Sequence, residues 1–252
     1  VRDFIAPETG GIYAVLGLEV DEERRALWAA SAAAPFMTNA KPEDAGKSAV
    51  FQFDVDTGVL RRRYELPQSP SLANDLAITK DGTVYVSDSI RGTIAKIAPN
   101  AEKVEEIVPS DSFEGPNGLA ISPDGEGVVV ADMFGLSYVE RKTNAIRRLE
   151  PADKRFPLGG IDGLVSAPNG LVAIQNLAGR GRVFHIQMQN GGEIGAISLL
   201  EANHPAYENP TTGEMGSDGF YYLANPHYQG RGTGPLRPAA GKKLIMLRLP
   251  IP

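Results

Sequence analysis

Asn74, Asn117 and Asp162 stand at one phase of a repeat, and each carries an oxygen that a hard cation or a polar substrate could use. They open the triplets Asn74-Asp75-Leu76, Asn117-Gly118-Leu119 and Asp162-Gly163-Leu164, and each triplet leads into an apolar run, a turn and a second run. The continuations LAITKDGTVYVSDS, LAISPDGEGVVVADM and LVSAPNGLVAIQNL recur about every 44 residues, the period of a propeller blade. Equivalent positions of a radial array converge on its axis, so these three side chains are expected to be neighbours although distant in sequence. Amide and carboxylate oxygens suit Ca²⁺ and, less readily, Mg²⁺. One carboxylate and two amides fall short of the roughly six to eight oxygens that calcium takes, so waters or another carboxylate must contribute. Asp75 is a candidate for that ligand or for a hydrogen-bond partner. The competing role is ordinary turn formation, in which Asn or Asp bonds its own backbone before a strand; three residues in phase weigh against it.

The elements that must position these residues are short strands. Paired runs occur at 12–31, 72–89, 116–133, 161–177 and 211–225, most with the Gly, Asp or Asn turn of a β-hairpin. Two further runs follow each pair, such as 93–97 with 104–108 and 183–187 with 194–199, and four strands per repeat make a blade. Val84-Tyr85-Val86 and Val128-Val129-Val130 suit strands buried on both faces. An all-β chain is expected, a β-propeller of four-stranded blades forming a single domain over residues 1–252. Residues 2–6 read as the fourth strand of a blade, and residues 243–249 as a third strand with no fourth after it. Either the N-terminal strand completes the last blade in a five-bladed ring, or most of a first blade lies upstream and the intact protein has six. The start at Val1, without Met, raises the expectation of a removed upstream segment.

In such an array the loop entering each first strand and the loop joining second to third strand share one face. Two of the latter are long, at 32–47 and 226–241, and are placed to act as lids or binding loops over the polar cluster. Asp88, Asp132, Asn176 and Asn225 end second strands in phase; they read as caps of the turn that follows, with an outer ring of the same mouth as the alternative. His204 and His227 flank the last repeat and are expected at the mouth on the substrate side. His185 reads as outer strand and Trp28 as blade core. Leu16 fills the polar slot in the first repeat, and Thr212 and Glu214 fall near it in the last.

Composition removes several classes of function. A chain of 252 residues, 42% hydrophobic, can bury a full core, and the absence of cysteine excludes disulfide scaffolds, thiolate metal sites and cysteine nucleophiles. A net charge of -6 with pI ≈ 5.2 argues against a nucleic-acid partner. Arg61-Arg62-Arg63 is the only basic triplet and reads as a solvated outer strand. No apolar run reaches the roughly 18 residues of a membrane helix, so a soluble domain without a membrane partner is expected, in the cytoplasm, the periplasm or outside the cell. Oligomeric state stays open. HExxH, GxSxG and nucleotide-binding glycine patterns are absent, and a Ser-His-Asp triad has no support in the spacing.

On Asn74-Asp75, on Gly115-Pro116-Asn117-Gly118-Leu119 with Ser122-Pro123-Asp124-Gly125, and on Asp162-Gly163-Leu164, the chain resembles the senescence marker protein, gluconolactonase and luciferin-regenerating enzyme family of six-bladed propellers. The blade rhythm covers nearly the whole chain and the motifs occupy three blades. The resemblance implies one divalent cation, usually calcium, on the axis, and hydrolysis of lactones or related esters. It makes Asn117 and Asp162 metal ligands, places Asn74 on the substrate or metal side, and makes Asp162 the general base. The family's further ligand, a Glu at the start of the first blade, has no counterpart, and Ser71, Leu72 and Ala73 stand where the family has an Arg. The expected function is a calcium-dependent hydrolase of lactones or small esters, with metal-bound water as nucleophile an open variant. A propeller that binds a partner without turnover is the alternative, and condensation chemistry through Glu208 or Glu214 a third.

Overall fold

Each paired run folds as an antiparallel hairpin, because β-branched and aromatic side chains face apolar neighbours on both sides of the inner strands. The computed structural model describes residues 3–33, 41–177, 179, 181–226 and 243–251. By contacts these fall into two compact units, one up to Pro116 and one from Asn117 onward.

The first unit holds two four-stranded sheets. In one, β1 (Ala14–Asp21), β2 (Ala26–Ala32), β3 (Ser48–Asp54) and β4 (Leu60–Glu65) pair in chain order; in the other, β5 (Ala73–Ile78), β6 (Val84–Asp88), β7 (Thr93–Ile97) and β8 (Glu105–Glu106) do the same. Trp28, Val50, Tyr64, Leu76, Val84, Val86 and Ile97 share one buried cluster, with Trp28 and Tyr64 stacked at 5.8 Å. Arg61, Arg62 and Arg63 are exposed on β4, the solvated outer strand expected of them. Residues 3–6 form no strand, contrary to the sequence expectation. Ile5 instead packs with Phe51, Phe53 and Leu60 on the first sheet. Pro7, which lacks an N–H, and the left-handed Gly10 and Gly11 turn the chain away from an extended path.

The second unit holds three sheets. They are β9 (Leu119–Ile121), β10 (Gly127–Asp132), β11 (Gly135–Glu140) and β12 (Ile146–Leu149); β13 (Ile161–Ala167), β14 (Gly170–Gln175), β15 (Arg182–Gln189) and β16 (Glu193–Ala202); and β17 (Gly213–Gly216), β18 (Gly219–Leu223) and β19 (Met246–Leu249). Val129, Leu136, Tyr138, Leu164, Leu171 and Phe184 join the first of these sheets to the second, and Val172, Ile174, Phe220 and Tyr222 join the second to the third. Every residue of β10 and β14 is buried. The last sheet has three strands among the described residues, as the phase of residues 243–249 implies. Of the two long connections, residues 34–40 and 227–242 lie outside the described residues. Among the described residues no helix is long and apolar enough to cross a membrane.

A bulge recurs in the first strands. Register slips by one residue at Leu16, at Asn74-Asp75 and at Asp162. In the third sheet the Asn117 N–H donates to Ala131 O at 2.8 Å while the Ala131 N–H donates to Gly118 O at 2.9 Å, so two residues oppose one. Leu223 is shared in the same way by Thr211 and Thr212. The polar slot of the last sheet therefore belongs to Thr211, just before Thr212 and Glu214, the two residues that the sequence puts near it. A bulge re-aims one side chain out of the alternation of its strand, which is what the repeated triplet encodes.

The glycine after the slot has a separate duty. A β-carbon at Gly17 would lie 2.6 Å from Asn74 O, one at Gly118 2.5 Å from Asp162 O, and one at Gly163 2.4 Å from Thr211 O. Successive first strands thus meet backbone to backbone, where only hydrogen fits. Gly118→Ala is expected to lower unfolding free energy by about 1–3 kcal/mol, the usual cost of overpacking against atoms that cannot yield. The control is Gly125→Asn, at an open position with φ +72° that Asn tolerates; urea titration should show it near neutral.

Candidate functional site

In the second unit the bulges bring two slots into contact. Asn117 Nδ2 donates to Asp162 Oδ1 at 2.8 Å, across the gap between β9 and β13. The Asp162 carboxylate also receives Asn176 Nδ2 on its other oxygen, and the same amide donates to Pro210 O at 3.0 Å. Asn176 follows the end of β14, so the group comprises one slot residue from each of two sheets plus the end of a second strand. The sequence reads Asn176 as a turn cap, with an outer ring of the mouth as the alternative. The signal that could have found it is chemical: Asp88 and Asp132 at this phase can only accept when ionised, whereas an amide can donate to a neighbouring carboxylate.

The capping role holds for the carboxylates. Asp88 Oδ1 accepts from the N–H groups of Leu72, Ile90 and Arg91. Asp132 Oδ1 accepts from those of Phe134 and Gly135, and Oδ2 from Arg148 Nη1 at 3.0 Å. Asn225 joins the end of β18 to the start of the third strand through Lys243 O and the Ile245 N–H.

Asp162 differs from these acids in what surrounds it. The residue keeps some surface, but protein atoms enclose most of its carboxyl group; that desolvation raises its proton affinity above the usual carboxylate range, and the hydrogen bonds from Asn176 and Asn117 only partly oppose it. No Lys, Arg or His among the described residues pairs with it. Beside it the buried Asn176 Oδ1 has no hydrogen-bond partner among the described residues. Among those residues no three His, Cys, Asp or Glu side chains gather as a metal cage. The group is one carboxylate with two amides, a donor set that fits a hard cation in kind and leaves coordination positions for water.

The other expected site residues lie as follows. Asn74, half-buried in the first unit, donates from Nδ2 to Ser89 Oγ at 2.9 Å, and Ser89 Oγ donates to Pro116 O at 2.6 Å. The Asp75 N–H donates to Ser87 Oγ at 3.0 Å, and Asp75 lies against Gly17. His204 sits in the turn after β16, where Nδ1 accepts from the Ala206 N–H at 3.1 Å and the ring lies 5.6 Å from Tyr207. His227 lies outside the described residues. Glu214 is exposed, with Oε1 accepting from the Met215 N–H. Tyr207, Tyr222 and Glu201 form a separate hydrogen-bonded chain, and burial pushes the Tyr207 hydroxyl up to about 12.

No protein-family model matches the chain, and no curated protein matches it. Solved structures do. A chain of a nidogen/laminin complex is similar with TM-score 0.61 and 14% identity over 84% of this chain and 73% of that one. The PQQ-bound aldose sugar dehydrogenase of Streptomyces coelicolor gives 0.58 and 14% over 94% and 80%. A gluconolactonase of Xanthomonas campestris gives 0.57 and 15% over 94% and 72%. With the blade sheets and their adjoining first strands, these likenesses settle the architecture. The chain is a β-propeller. At such identity they carry the fold alone, and activity must be argued from the chain's own residues.

The Asp162 cluster can be tested by stability. With chelator present, Asp162→Asn keeps an acceptor for one amide and is expected to change unfolding free energy by less than about 1 kcal/mol, whereas Asp162→Ala strips both amides and costs about 1–3 kcal/mol. Parallel urea titrations give both values.

Proposed function

We propose that the protein is a calcium-dependent hydrolase of lactones or small esters. The observation that carries this reading is the enclosed Asp162 carboxylate with no positive partner among the described residues, beside an unpartnered Asn176 oxygen. Buried charges in proteins are ordinarily paired or bound to metal, because desolvating a lone carboxylate is costly. Asn117, Asp162 and Asn176 would hold the cation. His204, and His227 by its sequence position, are assigned to the substrate side; Asn74 and Asp75 lie in the other compact unit. When bound, a divalent cation polarises a carbonyl and stabilises developing negative charge on its oxygen.

The chain's own groups supply the rest. A carboxylate offers about four acceptor positions, and Asn117 and Asn176 occupy one on each oxygen, fixing its rotation while leaving the others available. Asp162 accepts a proton as water adds to the acyl carbon and returns it to the departing alkoxide, so the acyl C–O bond breaks and a hydroxy acid, or an acid and an alcohol, results. The gluconolactonase among the similar structures supports this reading by analogy.

Partner binding without turnover is the second reading, favoured by one fact: of the slot residues Leu16, Asn74, Asn117, Asp162 and Thr211, only Asp162 ionises. A panel of γ- and δ-lactones and aryl esters separates the two. Turnover is expected with Ca²⁺, is lost with chelator, and falls about 10²–10⁴-fold in kcat/KM for Asp162→Ala. Hydrolysis that survives both changes removes the hydrolase mechanism, and no hydrolysis of any substrate leaves the binding reading. Calcium at about 100 times its Kd is expected to stabilise the fold by about 2.7 kcal/mol, an effect absent from Asp162→Ala.

A further inference from the structure

Three large apolar side chains stand exposed beside the Asp162 cluster. Met133 is 50% exposed, Phe134 72% and Leu177 50%. Met133 and Phe134 are the two residues of the hairpin loop between β10 and β11, where Asp132 pairs with Gly135. Loops of this length are dominated by Gly, Asn and Asp, whose backbone and side chains suit the turn. Here Asp132 performs that task from outside the loop, accepting from the Phe134 and Gly135 N–H groups at 2.9 and 3.0 Å. The two loop positions are thereby relieved of turn chemistry, yet they carry Met and Phe rather than solvent-compatible residues.

Leu177 joins this loop through one glycine pair. A β-carbon at Gly159 would lie 2.7 Å from Met133 O, and one at Gly160 would lie 2.8 Å from Leu177 Cβ. The Gly160 N–H donates to Asp132 O at 3.3 Å, and the Leu177 N–H to Gly160 O at 3.5 Å. Buried Gln175 holds the segment from beneath, donating to Pro157 O at 2.8 Å and Gly159 O at 2.6 Å. The three apolar residues are therefore mounted on one braced support. Its chain continues two residues later into Asp162, and Leu177 directly follows Asn176, whose amide meets the Asp162 carboxylate.

We infer that Met133, Phe134 and Leu177 form an apolar rim that receives the hydrocarbon part of the substrate, so that the preferred lactones or esters bear an alkyl or aryl substituent rather than a row of hydroxyls. This rests on the hydrolase reading for the chemistry and on the rim's own geometry for the selectivity. Grouped exposed apolar side chains beside a polar site mark a surface that water covers at a cost and a hydrocarbon relieves. A half-open rim recovers part of the roughly fourfold gain that full burial of a methylene gives, so about twofold per methylene is expected.

The test compares γ-butyrolactone, γ-hexalactone, γ-octalactone, γ-decalactone and gluconolactone in the presence of Ca²⁺. In the unmodified protein kcat/KM rises about twofold per methylene and exceeds that for gluconolactone. In the double variant Phe134→Ser, Leu177→Ser the rise is flattened, and in Val59→Ser, an apolar residue 61% exposed on the turn between β3 and β4, it persists. A flat chain-length dependence, a slope unchanged in the double variant, or preference for gluconolactone overturns the proposal. Calorimetry with the matching 4-hydroxyalkanoates separates it from the hydrolase reading: binding that strengthens with chain length and is lost in the double variant, without turnover, upholds the rim and removes the hydrolase, while neither turnover nor graded binding removes the rim. Sedimentation of both proteins covers the remaining occupant, since self-association abolished in the double variant would make the patch an interface between copies and overturn the proposal.

Discussion

Close approach of backbone to backbone between consecutive first strands is the constraint on which the site depends. Gly17, Gly118 and Gly163 each face the carbonyl oxygen of the next slot residue at a separation that no β-carbon could share. The bulge just before each glycine supplies the extra residue that lets the strand bend into this contact, and the bulged residue is turned out of the strand's alternation. Slot polarity is thus a by-product of packing that the chain has used. Where adjacent slots hold Asn117 and Asp162, the same contact that joins two sheets delivers an amide to a carboxylate at 2.8 Å. Replacing the polar residue would leave the packing intact; replacing the glycine would disturb both.

Asp162 stands out among the acids because its neighbours treat it differently. Asp132 has Arg148 within 3.0 Å, Asp54 has Arg61, and Asp88, although burial raises its proton affinity, is met by three backbone N–H groups. Asp162 has two amides and no cation among the described residues. Neutral donors return only part of the hydration that an enclosed carboxylate loses. The arrangement retains the electrostatic demand on which the proposed cation site rests, and the surrounding fold, apolar through Leu164 and Ile161, does not meet it.

Much of this was legible in the chain. The five hairpins were, because apolar runs flanking Gly, Asp or Asn turns report a local pairing that neighbouring sheets reinforce. The meeting of Asn117 with Asp162 followed from phase alone. Other features needed contacts that periodicity does not carry. Residues 3–6 look strand-like, but a strand requires a partner, and Ile5 is held by Phe51 and Phe53 instead. The sequence puts Thr212 and Glu214 near the last slot without fixing it, because Pro210 and the second threonine obscure the triplet, and only the shared pairing of Leu223 resolves it to Thr211. Position groups Asn176 with Asp88 and Asp132, although its amide can donate where a carboxylate cannot. Position in the sequence puts His204 at the mouth but cannot show that its Nδ1 accepts within its own turn.

A shared architecture among proteins described as a nidogen/laminin complex, a sugar dehydrogenase and a gluconolactonase means that the blades themselves select no chemistry. Selection falls to the side chains carried on that frame: the slots, the second-strand ends that do more than cap a turn, and the loops beside them. In this chain the slot series runs from Leu16 through Asn74 and Asn117 to Asp162 and Thr211, so polarity peaks where one carboxylate meets two amides. An amide has a donating end and an accepting end, and half a turn exchanges them. In the orientation seen here the donating ends of Asn117 and Asn176 hold the carboxylate, and the Asn176 amide also donates to Pro210 O, a contact that the reverse orientation would replace with two facing oxygens. The cluster therefore meets Asp162 with neutral donors that offset part of its lost hydration without adding charge, whereas further carboxylates in their place would bring mutual repulsion to the same enclosed space.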